Sequence, residues 1–400
     1  MAARPPVTAW DTDFDVLDPS YIADPFTIWD RLRSACPIAH SDRRGSTWLP
    51  TRYDDVTALA HDIEHFSSEQ ISVIPLEGPV PEEPVLPYGI PPISADPPLH
   101  TWTRRLLLPW FSHRRVESYE PMTRELCASL VDGFAGSGRA DAAAGYAQQI
   151  PVRVIAHILG VPGTLADEFT EWVRDVLEFA DDPERRRYGF EHLVGYFVTE
   201  IEHRRSAPGD DLLSTLLHTE VDGEPVDERL VLGTAALVLI AGVDTTWSAI
   251  GSSLWHLATH EDDRRRLVED PALMPLAIEE LLRAYSPVTM ARVVTEDIEF
   301  GGCPMRAGDK VLMNFPAANR DPAAFDRADE VVLDRAVNRH VAFGSGIHRC
   351  AGSNLARMEL RVALEEWLAR IPEFGLEPGA EVTWAGGQVR GPRQLPVVFP

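Results

Sequence analysis

The stretch Asp227–His260 constrains the fold of this chain more than any other segment. It carries apolar residues at three- and four-residue spacing, the period of a helix with a buried face. Asp227 is suited to cap its first turn. At ~1.5 Å per residue, about 33 residues would span about 50 Å, enough to cross a whole domain. Its apolar run, Leu230–Val243, is 14 residues long and ends at Asp244, Thr245 and Thr246. A membrane helix needs about 20 apolar residues. The spacing therefore predicts a core helix around which the rest of the chain is arranged, with no membrane span.

The same spacing predicts helices at Ser112–Ala135, Gln149–Leu159, Leu165–Ala180, Tyr188–Arg205, Pro271–Tyr285 and Gly352–Ile371. Strand signals are short: Thr47–Thr51, Arg292–Phe300, Lys310–Phe315 and Leu395–Phe399. The expected fold class is mainly α with small β-sheets, one domain over residues 1–400. Its β-containing parts would lie near the N-terminus and at about 292–315 and 382–399. Between Ile74 and Pro98 there are nine prolines, which exclude a helix or a central strand there and predict a long stiffened loop.

Charge and cysteine count narrow the function. Of 400 residues, 37 are Lys or Arg and 62 are Asp or Glu, a formal charge of −25. That balance argues against general nucleic-acid binding, which needs a basic footprint. Cys36, Cys127, Cys303 and Cys350 form no C-x-x-C pair, so no zinc ribbon or dithiol site is expected. The first twenty residues hold acids and prolines in place of a basic start and an apolar core, so a cytoplasmic location with free thiols is expected.

The sharpest local feature is Phe343-Gly344-Ser345-Gly346-Ile347-His348-Arg349-Cys350-Ala351-Gly352. Two close glycines free the backbone for a tight turn, and a helical pattern follows at once. Cys350 would then sit at a helix N-terminus, where amides and the helix dipole favour a thiolate. Such a thiolate could act as a nucleophile or as an axial ligand to haem iron.

This segment resembles the haem-binding signature of the cytochrome P-450 family, F-x-x-G-x-H/R-x-C-x-G, at every fixed position. Further segments resemble the family in order. Ala241-Gly242-Val243-Asp244-Thr245 is similar to its oxygen-activation segment, A/G-G-x-D/E-T. Gly242 is expected to clear space for the flat cofactor, and Asp244 and Thr245 to deliver protons to bound dioxygen. Glu280-Leu281-Leu282-Arg283 is similar to the family's E-x-x-R, whose downstream partner would be Arg335 or Arg339, beside Asn338. This trio is expected to prop the cysteine loop. His100 and Arg104 resemble the H-x-x-x-R propionate clamp; Arg292 and His348 match further propionate positions.

The resemblance implies a fold with haem between the long central helix and the cysteine-loop helix. Cys350 would be the iron ligand. Phe343, Gly344, Gly352, Ala241 and Gly242 would line the cofactor, haem b, with dioxygen as co-substrate. It also implies a soluble bacterial monooxygenase that hydroxylates or epoxidises a small-to-medium, largely apolar substrate, terpenoid-like, aromatic or a secondary metabolite. Ile240, Ala241, Val288, Met290 and Val389 would face that substrate, roofed by the proline-rich loop and by the helix holding Phe169, Trp172, Val176 and Phe179. Electrons would come to a monomer from a separate ferredoxin or flavodoxin with its NAD(P)H reductase. Arg104, Arg105, Arg114, Arg115, Arg349, Arg357 and Arg361 are the expected docking charges on an otherwise acidic chain. Two alternatives stay open: a peroxide-driven peroxygenase of the same fold, and a non-catalytic haem sensor or recruitment protein.

Overall fold

Asp227 accepts a hydrogen bond from the Arg229 amide and starts a helix, Glu228–Thr259, of 32 residues. In the computed structural model, which describes residues 4–74, 84–179 and 181–400, this helix is the axis of the molecule. Its length and composition would suit a membrane, but its most apolar window is 83% buried inside the protein. It is a core helix, as the sequence predicts.

Helices Gln149–Leu159, Ala166–Leu177, Pro183–Ser206 and Ser353–Arg370 pack against it, and His113–Asp132 lies along Ser353–Arg370. One apolar core runs through all of them. The expected Tyr188–Arg205 helix begins earlier. Pro183 fills its first turn and the Asp182 side chain accepts from the Arg185 amide, the usual start signal. The helix expected at Leu165–Ala180 ends at Leu177, and Ala180 itself lies outside the described residues.

The largest sheet has five strands in the order Ile38–Ser41, Thr47–Pro50, Lys310–Met313, Met290–Val294 and Phe66–Ser67. The expected strand Arg292–Phe300 is two strands. Met290–Val294 pairs with Lys310–Met313 in the main sheet, and Ile298–Phe300 forms a separate hairpin with Cys303–Met305. The strand at Lys310 stops at Met313, because Asn314 caps a short helix with Pro316 in its first turn. Near the C-terminus, Thr383–Ala385 pairs with Gly391–Gln394, and Pro396–Val398 joins Arg139–Asp141. Of the proline-rich stretch, residues 75–83 lie outside the described residues. The part from Pro84 to Pro98 forms turns and irregular chain, as its prolines require.

Candidate active site

The cysteine loop is built on two left-handed glycines, Gly344 and Gly346, each with φ +71°. At Gly346 any side chain would also meet the Ala60 carbonyl, 2.4 Å from the Cβ position. The Cys350 amide donates to the Phe343 carbonyl at 2.7 Å and closes the loop. Gly352 then caps Ser353–Arg370. Cys350 is accessible at the surface yet closely surrounded by protein. Burial pushes its thiol above the usual value, against the Gly352 amide and the charges of Arg104, Arg349 and Arg357. Coordination to a metal ion deprotonates such a thiol outright.

Four basic side chains converge beside this loop. The His100 and His348 rings lie 4.3 Å apart, and Arg104 donates to the Arg349 carbonyl. Arg292 is 6% exposed, and its guanidinium donates to the Ala291 carbonyl at 2.8 Å. Burial, with Arg292, His100 and Arg104 adding their charge, pushes His348 down to about 3. Burial likewise lowers Arg292 to about 10. Both ring nitrogens of His100 are buried and lack a partner. Among the described residues none of the four has a carboxylate partner. Buried cations and orphaned donors without an anion are costly. This donor set fits a cofactor that brings carboxylates to the cleft, as haem does.

On the central helix, Ala241 and Thr245 are partly accessible in a run that is otherwise almost wholly buried. Four residues apart, they share a face, and the Thr245 hydroxyl donates to the Ala241 carbonyl at 2.8 Å. Asp244 is 1% exposed; burial pushes its carboxyl up, against the charge of Arg393. Gly242 is partly accessible beside them, and the Cβ that it lacks would lie 2.4 Å from Ile155 Cδ1, so its small size also serves the close contact with helix Gln149–Leu159.

Glu280 and Arg283 are fully buried and paired through both carboxylate oxygens, at 2.8 and 2.9 Å. Arg335 Nε donates to Glu280 at 2.8 Å, and Asn338 at 3.1 Å. Burial opposes ionisation of Glu280, but the hydrogen bonds from Arg283 and Arg335 outweigh it and hold the carboxyl below its ordinary value. Arg339 is corrected: it is exposed, and its carbonyl accepts from the Tyr53 hydroxyl. Arg283 also binds the carbonyls of Asn319, Ala328 and Glu330. Asn319 in turn accepts from the Val341 amide, just before the cysteine loop.

The residues expected to face substrate are only partly brought together. Val288 and Val389 face each other across an isolated bridge. The Gln388 amide reaches Met290 Sδ at 3.6 Å. Ile240 is 7% exposed within the main core. Phe169 packs fully against Tyr196, their rings 5.1 Å apart, and so is core and not roof. Phe343 lies under the Arg357 guanidinium at 4.4 Å.

Sequence reasoning missed Glu279, which holds Arg357 and His340 on either side of the cysteine loop. It also missed Arg393 and Glu178, which meet at Asp244. Glu279 adjoins Glu280 and could have been found from the loop's need for a brace. Nothing local marks the other two.

The family model described as cytochrome P-450 matches residues 184–377. Mycinamicin IV hydroxylase/epoxidase of Micromonospora griseorubida is 38% identical over 360 residues, covering 88% of this chain and 89% of that protein. Vitamin D(3) 25-hydroxylase of Pseudonocardia autotrophica is 36% identical over 394 residues, covering 96% of each. Among solved structures, the bacillaene polyketide synthase cytochrome P-450 PksS of Bacillus subtilis 168 has a TM-score of 0.87 at 29% identity. That match covers 96% of this chain and 99% of that one.

Proposed function

The chain belongs to the cytochrome P-450 family, and we propose that Cys350 is the iron's thiolate ligand, His100, Arg104, Arg292 and His348 receive the propionates, and Asp244 and Thr245 supply protons. The protein is a haem-thiolate monooxygenase using haem b and dioxygen. The observation that carries the site assignment is the group of four basic side chains, His100 and Arg292 buried and Arg104 and His348 partly so, without a carboxylate partner among the described residues and gathered beside the accessible Cys350.

When bound, the haem supplies the reduction of dioxygen and the transfer of one oxygen atom. The chain supplies the rest. His100, Arg104, Arg292 and His348 orient the cofactor by its carboxylates. Asp244, with its carboxyl pushed up by burial, holds a proton nearer neutral pH than an exposed carboxyl would. The Thr245 hydroxyl donates to the Ala241 carbonyl and keeps its lone pairs free to accept from a water that relays the proton.

The substrate in this reading is largely apolar, since Val288, Val389 and Met290 line its side. The names of the relatives favour macrolide-like or steroid-like skeletons within that class. The electron donor is a separate ferredoxin or flavodoxin with an NAD(P)H reductase. Its docking charges are fewer than the sequence suggests. Arg357 is paired with Glu279, and Arg361 with Glu120 and Glu365. Arg115 lies over the Trp110 ring, and Arg104 turns to the cleft. Arg105, Arg114 and Arg349 remain exposed. Complementary charge there would raise the donor's on-rate. We read the chain as one domain, a monomer in the cytoplasm.

The test is turnover of macrolide and steroid substrates with NADH, ferredoxin and its reductase, against hydrogen peroxide alone. Product only with the reductase chain supports the reading; product only with peroxide favours a peroxygenase; none in either favours a recruitment protein. Thr245→Ala should keep haem content and divert reducing equivalents to peroxide.

A further inference from the structure

Asp244 does not stand alone with its cofactor-facing neighbour. Its Oδ1 accepts from Arg393 Nη2 at 2.6 Å, while its Oδ2 is buried without a partner. Arg393 lies on the C-terminal strand Gly391–Gln394 and is 9% exposed. Its guanidinium stacks over the Trp247 ring at 4.1 Å and donates from Nη1 to the Ser248 hydroxyl at 3.0 Å. Its Nε donates to Glu178. Glu178 caps helix Ala166–Leu177, and its second oxygen accepts from Arg174 Nε at 3.0 Å. One guanidinium therefore serves two carboxylates from different elements, the buried Asp244 and the half-buried Glu178. Three elements meet there: the central helix, the C-terminal hairpin and the end of helix Ala166–Leu177.

We propose that Arg393 and Glu178 are positioning residues that set the acidity of Asp244, with Glu178 acting on it through the shared guanidinium. This rests on the monooxygenase reading only in naming what the proton is for. The physical logic is charge balance. An arginine given wholly to Asp244 would hold it ionised. An arginine shared with a second carboxylate stabilises the Asp244 anion less, and the proton returns more easily. Burial acts in the same direction, and Arg174 opposes it. The charged groups facing Asp244 are thus Arg393 from the hairpin, and Arg174 and Glu178 from helix Ala166–Leu177 and its C-terminal cap. Ser248, on its own helix, adds a neutral contact at 3.4 Å. Arg393 also fixes the carboxylate by one oxygen and leaves the other to receive and release the proton. A general acid needs a proton affinity matched to its working pH, and this arrangement provides the adjustment without touching the reacting atoms.

The test is a titration of the Asp244 carboxyl by difference infrared spectroscopy on the haem-loaded full chain, with the band assigned by its loss in Asp244→Asn. Glu178→Gln keeps an oxygen for Arg393 Nε but removes the charge, so the Asp244 midpoint should fall by about 1 pH unit. Arg393→Gln should move it up, and Arg393→Lys, which cannot span both carboxylates, should move it the same way by less. If Arg393→Gln does not fold, the lysine variant carries that arm. Glu178→Asp should stay near the wild type. Opposite shifts for the two positions support the proposal, and general loosening of the site would not produce them. Shifts of the same sign, or none on Glu178→Gln, overturn it. The titration needs no turnover, so its outcome is separate from that of the monooxygenase reading, which product formation decides.

Discussion

Arg357, on the helix that follows the cysteine loop, grips Glu279 with two donors, Nε at 2.6 Å and Nη2 at 2.8 Å. Glu279 also receives His340 at 3.0 Å from the other side of the loop. These bonds, against the cost of burial, hold its carboxyl down at about 2. The pair is a brace between helix Met274–Ala284 and the segment carrying Cys350. In sequence Arg357 reads as a free docking charge; in the structure it is spoken for.

That relationship predicts what Arg357→Gln does. The pair is about one-third exposed, so its loss should cost about 1 kcal/mol, between the surface and buried limits. Haem should transfer faster to a scavenging apoprotein, while reduction by the donor protein keeps its salt dependence. A changed salt dependence with unchanged haem retention would return Arg357 to the docking face.

The buried trio gives a sharper contrast. Glu280→Gln or Arg283→Leu leaves an uncompensated charge in a site that is fully buried, at a cost of about 3–5 kcal/mol. Both variants should accumulate as haem-poor, easily denatured protein. Arg335→Ala should be intermediate, since its side chain is 9% exposed and it supplies one of the bonds to Glu280. Arg339→Ala should match the wild type. Urea midpoints and haem-to-protein ratios on the four variants check the order.

Glu359 carries a pH prediction. It lies on the cysteine-loop helix, is fully buried, and has no partner for either carboxylate oxygen. Burial pushes its carboxyl from an ordinary 4.5 to about 8. Between those values the folded chain keeps a proton that the unfolded chain has released, so stability falls as pH rises across that window. Glu359→Gln removes the contribution. The gain of Glu359→Gln over wild type in urea midpoint should therefore grow from pH 5 to pH 8. A constant difference across that range contradicts the assignment.

Much of this was legible in the sequence because the signals are local. Asp227 before a long apolar stretch marks the central helix, and the glycines around Cys350 mark the turn. Distance along the chain hides the rest. Arg335 and Arg339 both follow the helix at workable spacing, and only the fold turns one inward. Arg393 lies 149 residues from Asp244, with no period or motif linking them. The contact of Gly242 with Ile155 is hidden too, since a missing Cβ says that something is close without saying what. The strand at Arg292 was drawn too long because alternation does not show where a chain leaves one sheet for another.

The claim that everything else depends on is that Cys350 ligates haem iron through its sulfur. The direct measurement is the ferrous carbonyl spectrum of the wild-type protein and of the four single cysteine-to-serine variants. Wild type and the variants at Cys36, Cys127 and Cys303 should show the red-shifted Soret band of a thiolate-ligated haem, and Cys350→Ser alone should lose it. A Cys350→Ser protein that keeps the band, or a wild type that never shows it, would contradict the account.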